Sequence, residues 1–246
     1  MSWKTFLSFG CVHRPIHEEE SVAWLLQNIE DYQPDYLVCN GDLLDLQCLS
    51  RFAANDQADL LSEFDSANEF LCDVREASPN SKLVWTLGNH DVRVDAPEFK
   101  ALAGVLDINR NMEEAKRWKQ IPYGHGRKYT FQIGQLTFAH GTQTSNAGIF
   151  RETLHHAPPF GCFIHSHTHQ PVNCEQMVAN GYHLPWWRCN TGTYIDRNVD
   201  YARKLSTVNW GVGLVRGACE TRRRHSGKRE WEAETLVLNR HVEDWE

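Results

Sequence analysis

No stretch of this chain approaches the ~18 consecutive apolar residues that a membrane-spanning helix needs. None of the eight cysteines, at positions 11, 39, 48, 72, 162, 174, 189 and 219, belongs to a Cys-x-x-Cys pair, so neither a zinc ribbon nor a thioredoxin-like motif is indicated. No apolar leader with a small-residue cleavage site precedes the first strand at Phe6-Leu7-Ser8-Phe9. With scattered free thiols, this points to a cytoplasmic protein in a reducing compartment, with no membrane partner. Low-complexity linkers and internal repeats are also missing, so one domain spanning 1–246 is expected. The net charge of −7 argues against a generic nucleic-acid coat. One local exception lies in a loop near 220–230, where Arg222-Arg223-Arg224 is followed by Lys228-Arg229. Charge runs of this kind usually face water. The length suffices to bury a sizeable core.

Apolar periodicity defines the elements. Thr5–Phe9 reads as a strand. Val22, Leu25, Leu26 and Ile29 recur at helical spacing behind Glu18-Glu19-Glu20, whose charge suits a helix N-terminus. After Pro34, Tyr36–Cys39 reads as the next strand, closing a β-α-β unit with a parallel pair. A second helix is expected from about Gln57 to Ala77, with Leu60, Leu61, Phe64, Ala67, Leu71 and Val74 on one face, followed by strand Leu83–Leu87. Pro97 to about Lys119 is expected to be a more polar helix. A hairpin around Gly134-Gln135 joins Tyr129–Ile133 to Leu136–Ala139. Thr144–His156 reads as a helix. Strands are expected at Phe160–Ile164, from Trp186 toward Asn190-Thr191-Gly192-Thr193, at Trp210–Val215 and at Glu234–Asn239. Parallel units first and mainly antiparallel strands later fit two sheets packed face to face with helices outside.

The polar residues fall where these strands stop. Asn40-Gly41-Asp42 follows one apolar run and Gly88-Asn89-His90-Asp91 follows another, which is where an open α/β sheet places ligands. Further on come Ala139-His140-Gly141 and His165-Ser166-His167-Thr168-His169. Carboxylate, amide oxygen and imidazole together make the donor set of a two-metal hydrolytic centre.

Cys11-x-His13, Gly41-Asp42, Gly88-Asn89-His90-Asp91, Ala139-His140-Gly141 and Ser166-His167-Thr168-His169 follow one another in the order of the calcineurin-like metallophosphoesterase motifs. Asn190-Thr191-Gly192-Thr193 resembles the element that often follows them. The resemblance implies an α/β fold, a four-layer αββα sandwich of two mixed β-sheets flanked by helices. It also implies a hydrolase of phosphate mono- or diesters with two divalent metal ions (Mn, Zn or Fe). Asp42 would bridge the ions. Cys11, His13 and His169 would complete one site, and Asn89, His140 and His167 the other. In an extended segment residues two apart share a face, so 11 and 13, like 167 and 169, can both point at the metals. His90 would sit beside the metals without ligating them and act as general acid or stabilise the phosphoryl group as metal-activated water attacks, oriented by Asp91 or by Asp45.

The family usually has Asp at position 11. Cys11 is therefore either a thiolate ligand favouring zinc or iron or an inert thiol beside a weakened site. Arg93 is either a bidentate phosphate contact or a surface charge. His165 is expected to be a buried neighbour rather than a ligand, and His155-His156 a helix end. His17, His183, His225 and His241 are expected to be surface or packing residues. His125, Asn146, Trp186, Trp187 and Arg188 are weaker candidates for substrate contact. The substrate could be a small phosphate ester or a nucleic acid. Rival readings are a nuclease or phosphodiesterase, a metallophosphoesterase-like interaction scaffold, and a metal-dependent amidohydrolase or lactonase.

Overall fold

The structure is a computed structural model describing residues 2–50, 59–199, 202, 207–221 and 227–239. The expected helix start at Gln57, the Arg222-Arg223-Arg224 run, His225 and His241 lie outside the described residues. The chain forms β1 (Trp3–Phe9), α1 (Glu19–Tyr32), β2 (Tyr36–Cys39), α2 (Leu60–Ala77) and β3 (Lys82–Thr86). Short helices α3 (Ala103–Leu106) and α4 (Ile108–Asn111) precede β4 (Lys119–Ile121), β5 (Phe131–Ile133), β6 (Leu136–Phe138) and α5 (Asn146–His156). The remaining strands are β7 (Gly161–His165), β8 (Val172–Ala179), β9 (Tyr182–Asn190), β10 (Gly213–Glu220) and β11 (Trp231–Val237).

The strands build two mixed sheets, one ordered β11-β10-β1-β2-β3-β4 and the other β5-β6-β7-β9-β8. β1 through β4 are parallel neighbours, while β10 and β11 join them antiparallel. The second sheet keeps parallel pairs at its centre, between β6 and β7 and between β7 and β9. The expectation of mainly antiparallel late strands therefore holds only at its edges.

Strand alternation divides the core into layers. Phe6, Val38 and Val84 face the second sheet and meet Phe138, Cys162, Ile164 and Cys189 there. Leu7, Leu37 and Trp85 point the other way, onto the buried faces of α1 and α2. Phe163 on β7 turns outward, packing with Ala157 at the end of α5. Helix, sheet, sheet and helix thus stack around three apolar layers.

Two departures from the sequence reading have local causes. The stretch from Pro97 to Lys119 is not one helix. The Asp107 side chain accepts from the N–H of Arg110 at 2.8 Å and Asn111 Nδ2 donates to the Val105 carbonyl at 2.7 Å. These short polar side chains compete with the helical ladder and restart it. β8 was not anticipated, although Asn180-Gly181 carried the signal. Both residues adopt positive φ (51° and 80°), the requirement of a two-residue hairpin turn, and Ala179 pairs directly with Tyr182.

Candidate metal centre

The expected site residues lie beyond the C-terminal ends of strands from both sheets. Cys11 and His13 follow β1, Asp42 follows β2, and Asn89 and His90 follow β3. His140 follows β6, while His167 and His169 follow β7. Two glycines let these loops touch. A side chain on Gly41 (φ 77°) would place its Cβ 2.6 Å from the Gly88 nitrogen, and one on Gly88 would stand 2.2 Å from Asp42 Oδ1.

Residues two apart do share the site, but not through an extended backbone. Cys11, His13, Asp42, His167 and His169 all lie in the left-handed region, at φ between 49° and 65°. Each such conformation costs a non-glycine residue on the order of 1 kcal/mol or more. Cross-loop hydrogen bonds hold it: Cys11 N–H to Gly41 O at 2.8 Å, and His13 N–H to Asp42 O at 3.0 Å.

Two donor groups result. Cys11, His13, Asp42 and His169 each offer a ligand atom within 4.8 Å of the others, and so do Asp42, His140 and His167. Asp42 belongs to both. Asn89 completes the second group, with Oδ1 3.0 Å from His140 Nε2. These residues fit divalent cations on two observations. First, among the described residues His13 Nε2 and His169 Nδ1 are buried without a hydrogen-bond partner, an arrangement a cation relieves. Second, His140 Nδ1 donates to the Asn40 carbonyl at 2.7 Å, so in the neutral ring Nε2 is a lone pair. That lone pair faces Asp42 Oδ2 at 3.1 Å, Asn89 Oδ1 at 3.0 Å and His167 Nδ1 at 3.1 Å.

Electrostatics agrees with that chemistry. Burial lowers the pKa of His13 and of His169, and takes His167 down to about 4, so these imidazoles are neutral ligands. Burial opposes ionisation of Asp42, yet protonated His140 and His90 hold its carboxyl well below the ordinary range. Asp42 in turn raises the pKa of His140 against burial, so a cation at His140 Nε2 would displace a proton from it. The buried Cys11 thiol is pushed up by desolvation and then by Asp42. Its Sγ accepts from the N–H of His167 at 3.2 Å.

His90 stands beside both groups. Its Nδ1 lies 3.1 Å from Asp45 Oδ1, and its side chain is 19% exposed against 1% for His13 and 0% for His140. Like His167, it is only partly buried. Asp45 also receives His13 Nδ1 at 2.9 Å. Asp91 does not touch the His90 ring. Its carboxylate accepts from the backbone N–H groups of Asp42 (2.9 Å), Leu44 (3.0 Å) and Gly88 (2.8 Å), and from Trp85 Nε1 (3.2 Å). Of the two carboxylates considered for orienting His90, the one in contact is therefore Asp45, and Asp91 ties loops together. Arg93 donates to the Asp45 carbonyl at 2.6 Å and lies 3.2 Å from His90 Nε2. It is neither a plain surface charge nor remote from the site.

The other candidates scatter. His165 is buried on the outer face of β7, stacked 5.1 Å from Phe163, and burial takes its pKa down to about 4. Trp186 Nε1 donates to Ala157 O at 3.1 Å, and Trp187 packs 5.7 Å from Trp231. Arg188 pairs with Glu175 at 2.5 Å. Asn146 and Arg188 line a cavity by α5 and β8, away from the histidines. His125 contacts Thr142 at 3.3 Å. Tyr123, not singled out from sequence, brings its ring 5.9 Å from that of His140. It follows β4, which like β8 was not anticipated, so no strand-end argument could have found it.

Among solved structures, the chain is similar to Yfce, a phosphoesterase from E. coli, at 13% identity over 88% of each chain, with a TM-score of 0.44. It is also similar to Vacuolar Protein Sorting 29 from Cryptosporidium parvum, at 15% identity over 96% of this chain and 99% of that one (TM-score 0.43). A third similar structure is Vps29 complexed with Zn2+ from Entamoeba histolytica, at 13% identity over 96% and 99% (TM-score 0.40). No curated protein matches the chain. The family model for calcineurin-like phosphoesterases matches residues 4–217, and the chain belongs to that family.

Proposed function

We propose that this chain hydrolyses phosphate esters, mono- or diesters, at the centre built around Asp42. The observation that carries the reading is that one buried carboxylate, Asp42, belongs to two separate donor groups. Cys11, His13, Asp42 and His169 would hold one divalent ion, and Asp42, Asn89, His140 and His167 a second. Such a pair supplies Lewis-acid stabilisation of phosphoryl oxygens and activation of water. A thiolate donor at position 11 would favour zinc or iron over magnesium.

The rest falls to the chain's own groups. Burial alone lowers the pKa of His90, but the Asp42 and Asp45 carboxylates outweigh it and leave the imidazole raised. A proton is thus available on a partly buried ring for a departing oxygen. Asp45 fixes the ring through Nδ1, while Nε2 faces the Arg93 guanidinium, a donor only, so delivery of a proton from Nε2 would require that guanidinium to turn to the phosphoryl oxygens.

Chromogenic phosphate mono- and diesters, offered with manganese, zinc or iron, test the reading. Turnover in wild type and its loss in Asp42→Asn are expected. A folded, metal-loaded chain inert toward every ester would instead support an interaction scaffold that keeps the fold.

A further inference from the structure

A second group of soft ligands lies outside this centre. Cys162 is the second residue of β7, Cys174 the third of β8 and Cys189 the penultimate of β9. β9 runs between the other two strands, so the thiols at 162 and 174 lean toward each other across Cys189. The Cys162 sulfur is 3.5 Å from that of Cys189 and 4.0 Å from that of Cys174, and all three lie within 4.8 Å of one another. Three residues of β7, roughly 10 Å of strand, separate Cys162 from its end at His165, beyond which the candidate centre begins.

The spacing excludes a disulfide here and is close to what a shared ion requires. Disulfide sulfurs stand about 2.05 Å apart. Three thiolates around one ion, with bonds of about 2.3 Å, stand about 3.8–4.0 Å apart in tetrahedral or trigonal geometry. We infer that Cys162, Cys174 and Cys189 form a thiolate site for a single soft cation of the zinc(II) or copper(I) class. Cys162 and Cys189 are buried in the layer between the sheets, while Cys174 is half-buried on the edge strand β8 and provides the way in. Hydrogen bonds from Cys162 and Cys189 take the Cys174 thiol down to about 4, with Arg229 contributing. Binding of an ion would displace the thiol protons. Arg229 is held in place by stacking 4.3 Å from the Trp231 ring and 5.9 Å from that of Trp187. Its charge offsets the net −1 of three thiolates around a divalent ion.

The full chain carrying Cys11→Ser is compared with the same chain also carrying Cys174→Ser, so that position 11 contributes no thiolate. Each is loaded with zinc(II) or copper(I) and counted by elemental analysis. Cadmium(II) serves as an optical probe of thiolate-to-metal charge transfer. The expected result is one ion fewer per chain and loss of the charge-transfer band on Cys174→Ser, with the metal that binds distinguishing zinc from copper. If Cys174→Ser perturbs folding, alkylation of the wild-type chain decides: zinc or copper(I) is expected to slow modification of Cys174 at least tenfold. Equal ion counts and equal bands in folded variants, unchanged alkylation, or a Cys162–Cys189 disulfide in the purified chain would each overturn the assignment.

Discussion

Replacing Asp91 with alanine separates a loop-tying role from an imidazole-orienting one. The Asp91 carboxylate accepts four hydrogen bonds, from the N–H groups of Asp42, Leu44 and Gly88 and from Trp85 Nε1. Alanine leaves four buried donors without acceptors, each costing about 1–3 kcal/mol. The lower end of that range allows for relief of the repulsion between the Asp91 and Asp42 carboxylates. The sum is then about 4 kcal/mol at ~1 kcal/mol per donor. In a chain of this size each kcal/mol moves the thermal midpoint by roughly 2–4 °C, so a fall of about 8 °C or more is expected. Thermal and urea unfolding, followed by circular dichroism, measure it. A midpoint within about 2 °C of wild type, accompanied by a large loss of turnover, would refute the reasoning. Asp91 would then be acting on the chemistry and not on the backbone.

His90→Ala is expected to lower turnover by roughly 10²–10⁴-fold while elemental analysis finds the same bound metal; parallel loss of metal would make His90 a ligand. Cys11→Asp exchanges a soft donor for a hard one, so the preferred activating metal should move from zinc toward manganese. An unchanged metal profile and stoichiometry in that variant, and in Cys11→Ser, would exclude coordination by Cys11. Burial lifts the Glu63 carboxyl from its ordinary 4.5 to about 7. Its folded pKa thus lies above the unfolded one, so the stability it provides is complete below about 4.5 and is lost as pH rises through about 7. Glu63→Gln should flatten the dependence of the urea midpoint on pH across that window, and an unaltered slope would assign the dependence to another group.

The fold was legible wherever burial on one face imposed a period. Val22, Leu25 and Ile29 marked α1, and the apolar runs ending at Phe9, Cys39 and Leu87 marked parallel strands β1 to β3. Legibility failed where polar side chains set the local geometry. Asp107 and Asn111 interrupt an expected helix through bonds that apolar periodicity does not register. β8 alternates polar and apolar only loosely, with register shifts against β9. At β10 the expected span Trp210–Val215 gave way to Gly213–Glu220, because pairing with β1 and β11, not the Trp-rich segment before it, sets the strand's limits.

The site divides along a similar line. Donor identity could be read near each strand end, since Asp42, Asn89, His140 and His167 all stand within three residues of one. Their mutual approach depends on left-handed backbone at Cys11, His13, Asp42, His167 and His169, a property set by neighbouring loops and not by residue type. The role of Asp91 is equally tertiary, since its four donors come from two separate loops and a tryptophan. The cysteines carry the point furthest. At 162, 174 and 189 they have no metal-binding spacing, because spacing reports ligands that share one loop or turn. They meet only because Asn180-Gly181 folds β8 back onto β9, and β9 pairs with β7 on its other side. A cluster assembled by sheet adjacency cannot be found by scanning along the chain, but it becomes visible once strand order is known.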